Sequence, residues 1–166
     1  MDTEIKLDIK NLKTLLQNIE KNVSVKVGVL SAKDSRSDGE SNSKLAHLHE
    51  FGGTTEGYNS KGEETTYEVP ARSIVTVALP LELPKKAQSY TPTKESLDPL
   101  GDMSEFLGMQ SVEIIHNNFA VSGIGRKWNP ISYMTSMMRI NKGNYSNKPL
   151  IDTGQLENSF GYEVIK

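Results

Sequence analysis

A chain of 166 residues with 36% hydrophobic and 24% charged side chains is sized for one globular domain with its own core, far from the composition that leaves chains unfolded. Nineteen basic against twenty-one acidic residues leave a net charge of -2 with no run of either sign, which speaks against a general nucleic-acid binder. Cysteine is absent, which excludes a disulfide framework, a thiolate metal site and a thiol nucleophile.

The opening residues MDTEIKLDIK carry no apolar signal-peptide core, and no stretch reaches the ~20 apolar residues that span a bilayer, so a cytoplasmic protein without membrane contact is expected. No repeat of fixed period is present, which removes solenoids and propellers. From Glu4 to Lys21, Ile5, Ile9, Leu12, Leu16 and Ile19 recur at three- and four-residue spacing and predict an amphipathic helix. In VSVKVGVL, Val23, Val25, Val27 and Val29 alternate with Ser24, Lys26 and Gly28, the pattern of a half-buried strand. Residues 31–43 are crowded with Ser, Asp and Asn and read as a mobile loop. Ser43 is a cap for a short helix through KLAHLHEF that Gly52-Gly53 would end.

A second mobile loop is expected at 54–66. YEVPARSIVTVALPLEL mixes β-branched alternation with three prolines and reads as broken extended edge structure, followed by an extended arm or linker over 84–99. Phe106, Leu107, Ile114, Ile115 and Phe119 predict a second long helix between Asp102 and Val121, capped by Asp102 or Ser104 and packed on the sheet. SGIGRKWNPIS is a Gly-rich, Pro-bounded turn holding Trp128, and a polar loop surrounds KGNYSNKP. The end predicts a short turn or helix over Gln155 to Ser159, then a strand with Phe160, Tyr162 and Val164 on one face that joins an existing sheet. The expected fold is α+β: a small, mostly antiparallel sheet against two main helices, with long loops and an extended arm.

Several motifs suggest chemistry and have a plainer reading. Leu150-Ile151-Asp152-Thr153-Gly154 resembles the catalytic triplet of aspartic proteases, where two carboxylates share a proton and a homodimer would supply the second. Only twelve residues follow Gly154, whereas retropepsin-like chains build most of their barrel after the triplet. Asp152 and Thr153 as caps of the following turn, with Gly154 permitting its geometry, is the better account.

His47-Leu48-His49-Glu50, with His116 and Asp102, suggests a zinc-like site, but ligands two apart on a helix point in different directions. Asp34, Asp38 and Glu40 lack the ligand order of a calcium loop. Trp128 beside Arg126 and Lys127 could stack on a base or sugar, but a lone tryptophan after a helix is more often a hydrophobic anchor. Gly123 and Gly125 do not form a phosphate cradle. No catalytic residue, cofactor or metal is assigned, and the chain reads as non-enzymatic.

Three segments in order resemble the virion-morphogenesis, tail-completion and head-tail joining proteins of tailed bacteriophages. NFAVSGIGRKWNPISYMT, a basic polar loop and KPLIDTGQLENSFGYEV are similar to the Mu-type virion-morphogenesis pattern: a helix, a Trp-x-Pro-x-Ser turn, a Thr and a Leu-x-Asp-Thr-Gly-x-Leu close. VKVGVL, HEFGG and VPARS resemble that family's Gly-Val strand, Glu-Phe-Gly turn and Pro-Ala-Arg turn. After VPARS the family continues with Pro-Phe, whereas Ser73-Ile74 stand here, and the stretch from Leu81 to Leu100 looks inserted.

The resemblance implies a virion protein, assembled in the host cytoplasm, that oligomerises into a ring and meets portal, neck or tail proteins, with DNA passing non-specifically through the lumen. It also implies that Glu50, Phe51, Gly52, Pro70, Arg72, Trp128, Asp152 and Gly154 are turn and assembly residues. In particular, Arg72 and Trp128 would anchor turns near the contact surface, with the loop at 54–66 and the arm ordering on assembly. Two alternatives stand beside it, a head-proximal assembly factor and a hydrolase using Asp152 or the histidines.

Overall fold

The computed structural model describes residue 14 and residues 23–36, 39–59, 61–93 and 96–165. The predicted helix over 4–21 lies outside the described residues apart from Thr14, which is helical. The architecture is α+β, as expected, with two separate two-stranded antiparallel sheets.

The first sheet pairs β1 (Ser24–Val29) with β4 (Phe160–Ile165), so that Val25, Val27 and Val29 lie opposite Val164, Tyr162 and Phe160. The alternation read in both segments thus gathers onto one face. The long helix α3 (Pro99–Val121) packs on this sheet. It starts three residues earlier than its apolar spacing suggested, because Asp98 accepts from the Gly101 amide and Pro99 occupies the first turn, where its missing N–H costs nothing. Gly108 of α3 lies beneath the Tyr162 ring, where any Cβ would collide with it.

Helix α1 (Asn42–Phe51) is capped by Ser41, whose Oγ accepts from the Lys44 amide at 3.2 Å, two residues before the predicted cap. Asp34 binds the same Ser41 hydroxyl and the Ser43 amide, so the segment over 31–43 carries a short 3-10 turn at Ser31–Lys33 and its own helix-capping network. Gly52 ends α1 at φ +76, and a Cβ there would press on the backbone of Val69 and Ala71.

The expected loop at 54–66 is instead a β-hairpin, β2 (Gly53–Tyr58) with β3 (Glu64–Val69). Its strands are polar on both faces, so the apolar/polar alternation that announces a strand is missing, and cross-strand pairing supplies the order. The expected broken extended structure and arm also resolve differently. Only Glu64–Val69 is strand, and helix α2 (Ala78–Ala87) runs through Pro84 before residues 88–98 lead into α3.

Helix α4 (Tyr133–Asn141) fills the stretch between the expected turn over 122–132 and the expected polar loop around 142–149, to which no element was assigned, and is capped by the Ser132 Oγ on the Thr135 amide. The short helix α5 (Gln155–Ser159) then enters β4 as predicted. At the centre, Ile74, Ile115, Phe119, Trp128, Leu156 and Phe160 form one buried cluster, in which the Phe119 ring meets Trp128 edge-on at 5.5 Å. Among the described residues no helix is long and apolar enough to cross a membrane.

Candidate functional site

The motif residues Glu50, Gly52, Arg72 and Trp128 converge on one junction around the Ser73–Thr76 turn. Glu50, in the last turn of α1, accepts from the backbone amides of Ile74 (2.6 Å), Val75 (2.9 Å) and Thr76 (3.0 Å) and from the hydroxyls of Ser73 and Thr76. Burial works against its charged form, yet the bonds from Thr76, Val75 and Ser73 outweigh it and hold the carboxyl below its usual range. A carboxylate over three successive amides thus fixes, from a distant element, the turn that leads into α2, ahead of the helix start at Ala78.

Arg72 ties the other side of the junction. Its backbone amide donates to the His49 carbonyl at 2.6 Å, and its Nε donates to the Asn129 carbonyl at 3.1 Å, linking α1 to the Trp turn. Trp128 donates from its indole nitrogen to the Ser73 carbonyl at 3.0 Å. The same carbonyl accepts from Asn118, a fully buried residue of α3 that also donates to the Ile74 carbonyl and accepts from the Ile124 amide. Trp128 is therefore a hydrophobic anchor with a satisfied polar tip, as its plainer reading held.

The remaining motif residues sit at the rim. Phe51 is exposed and packs its ring on His47 at 4.8 Å. Pro70 and Arg72 line a cleft of about 1010 Å³ between the β2–β3 hairpin and α4, which Asp152 and Gly154 border on the far side. Asp152 accepts from the Asn144 amide at 2.8 Å and lies 3.7 Å from the Arg139 guanidinium. This carboxylate is thus paired with Asn144 and Arg139 and does not cap the following helix as expected. Helix α5 starts after Gly154 without a side-chain cap, and the Thr153 hydroxyl reaches the Gln155 amide at 3.4 Å. Gly154, at φ +75, opens α5 in a left-handed conformation suited to glycine.

His47 and His49 part company as helical spacing required: His47 is exposed, while His49 lines the cleft with its Nδ1 buried and unpartnered. Burial, and next the Arg72 charge, push His49 down to about 4. Among the described residues no three His, Asp or Glu side chains come together to hold a metal ion.

Sequence reasoning missed Asn118, Arg139 and α4. Of the three polar residues between Ile115 and Phe119, Asn118 is the one that helical spacing puts on the apolar face, three residues after Ile115 and four after Ile114, a signal for a buried hydrogen-bonding hub. Arg139 is almost fully buried and donates to the Ser146 and Lys148 carbonyls, which holds α4 and the following loop to the body. Comparison with models of known protein families, with curated proteins and with solved structures finds no match.

Proposed function

We propose that this chain is a structural component of a tailed-phage virion, acting at the head-tail junction by oligomerising into a ring and joining neck, portal or tail proteins. The observation that carries the reading is the convergence of HEFGG, VPARS and the Trp-Asn-Pro turn. The segments behind the resemblance lie far apart in sequence, yet Glu50, Arg72 and Trp128 meet around the Ser73–Thr76 turn. A junction built from backbone amides, carbonyls and a buried indole fixes the relative placement of α1, α2 and α3 and leaves the hairpin and α4 outside it. A subunit with a rigid centre and projecting elements suits assembly through many copies of one surface.

The test is the mass of the purified protein by light scattering over a range of concentrations, with negative-stain imaging, alone and with the neck or tail proteins encoded beside it. A closed ring, formed alone or on adding those proteins, supports the reading. A tight dimer indifferent to them overturns it.

A further inference from the structure

We propose that the β2–β3 hairpin of one copy docks on the α4 segment of the next, an inference that rests on the ring-forming reading and names the surface that makes the ring. The first observation is charge. The hairpin over 53–69 carries four glutamates, Glu56, Glu63, Glu64 and Glu68, against the single Lys61. Residues 122–151 carry five cations, Arg126, Lys127, Arg139, Lys142 and Lys148, and no acidic residue. Glu56 and Glu68 on one element, and Lys142 and Lys148 on the other, are exposed and have no ion-pair partner among the described residues. Both elements line one cleft, to which the hairpin brings Glu68 and α4 the buried Arg139, while Glu56, Lys142 and Lys148 are not among its lining residues and stand exposed, available to a neighbour.

The second observation is unsupported apolar surface on both elements. An isolated two-stranded hairpin is marginal in water, and this one exposes both faces, with Tyr58 69% and Tyr67 45% accessible. Helix α4 buries only Arg139 and exposes Tyr133 (76%), Met134 (57%) and Met138 (56%). Tyrosine and methionine are favoured at the centres of interfaces, and unbranched methionines repack readily against an incoming surface. An acidic Tyr-bearing patch and a basic Met-bearing patch on the same chain are different and complementary. A contact between them is heterologous, and heterologous contacts make a ring when the rotation from copy to copy closes and a filament when it does not. The hairpin is unsuited to pairing with another hairpin, because that would set glutamates beside glutamates.

Self-association of the full chain is measured by sedimentation velocity and light scattering for the wild type, for Glu56→Lys/Glu68→Lys, for Lys142→Glu/Lys148→Glu and for the chain carrying all four changes. Circular dichroism checks folding, which these exposed positions leave intact. Each double variant is expected to associate at least about tenfold more weakly, and the fourfold variant to recover association with the charges exchanged. Raising salt from about 0.05 M to about 0.5 M should weaken wild-type assembly.

Rings that form equally well in both double variants overturn the inference and leave the ring-forming reading standing. A chain that assembles in none of its forms, with or without neighbouring virion proteins, overturns both. Duplex DNA retained by the wild type and lost by Lys142→Glu/Lys148→Glu, with self-association unchanged, would assign the basic segment to nucleic acid and also overturn the inference.

Discussion

The Glu50 carboxylate stands 2.6 Å from the Ile74 amide nitrogen, although twenty-four residues separate them, and this contact joins the end of one helix to the turn that leads into the next. Removing the carboxylate leaves the partly buried Ile74 and Val75 amides and the exposed Thr76 amide without their acceptor, while the Ser73 and Thr76 hydroxyls keep each other at 2.9 Å. Hydrogen bonds to a charged group are worth more than neutral ones, so Glu50→Ala is expected to cost about 2–3 kcal/mol in urea unfolding. Glu50→Gln should cost less, about 1–2 kcal/mol, because its amide keeps one acceptor oxygen for part of the cluster but loses the charge and turns a donor towards the rest. A loss below about 0.5 kcal/mol in both variants would show that water replaces the carboxylate freely.

Trp128 tests a different part of the same junction. Trp128→Phe keeps an aromatic body against Phe119 but loses the donor to the Ser73 carbonyl, which Asn118 still serves. The expected cost is about 1–2 kcal/mol, against about 3–5 kcal/mol for Trp128→Ala, which also empties core volume. Equal losses in thermal melts of the two variants would mean that the indole nitrogen contributes most of the stabilisation and the packing little.

How far the fold could be read in advance follows from where its order comes from. β1, β4 and α3 are set by apolar residues at the period of their element, so Val25, Val27, Val29, Phe160 and Ile115 announce them. The hairpin carries no such pattern, and Thr55 and Tyr67 are brought together by register. Helix α4 does carry one, with Tyr133, Met134, Met137 and Met138 at three- and four-residue spacing, but that face is exposed and the helix is anchored by one buried arginine. The candidate site divides the same way. Trp128 and Gly52 were visible as turn chemistry, whereas the role of Glu50 depends on amides twenty-four and more residues away, which no local motif records.

Gly108 gives a packing prediction. The Tyr162 ring lies where a side chain at 108 would begin, and Tyr162 also donates from its hydroxyl to Glu105 at 3.0 Å, which holds the ring over the helix. Gly108→Ala would gain helix propensity in an isolated helix. Here it should instead destabilise by about 1–3 kcal/mol through overpacking. The double variant Gly108→Ala/Tyr162→Ala should cost less than the sum of its parts, and strict additivity in denaturant unfolding would remove the contact as the cause.

Acid sensitivity should come in two windows with the same sign. His49 has its folded value lowered from 6.5 to about 4, so the unfolded chain binds its proton first and stability falls as pH drops from about 6.5 towards 4. Glu50 is also lowered in the fold; its contribution is present above its ordinary value of 4.5 and is lost as pH falls through its depressed folded value, a lower window. Protonated His49 would place a third cation beside Arg72 and Arg139 in the cleft, a cost that burial raises further. His49→Gln should therefore flatten the upper window of a melting-temperature profile against pH and leave the lower one. His47 and His116 are unchanged in that variant, so parallel wild-type and His49→Gln profiles between pH 6.5 and about 4 would assign the acid loss to another group.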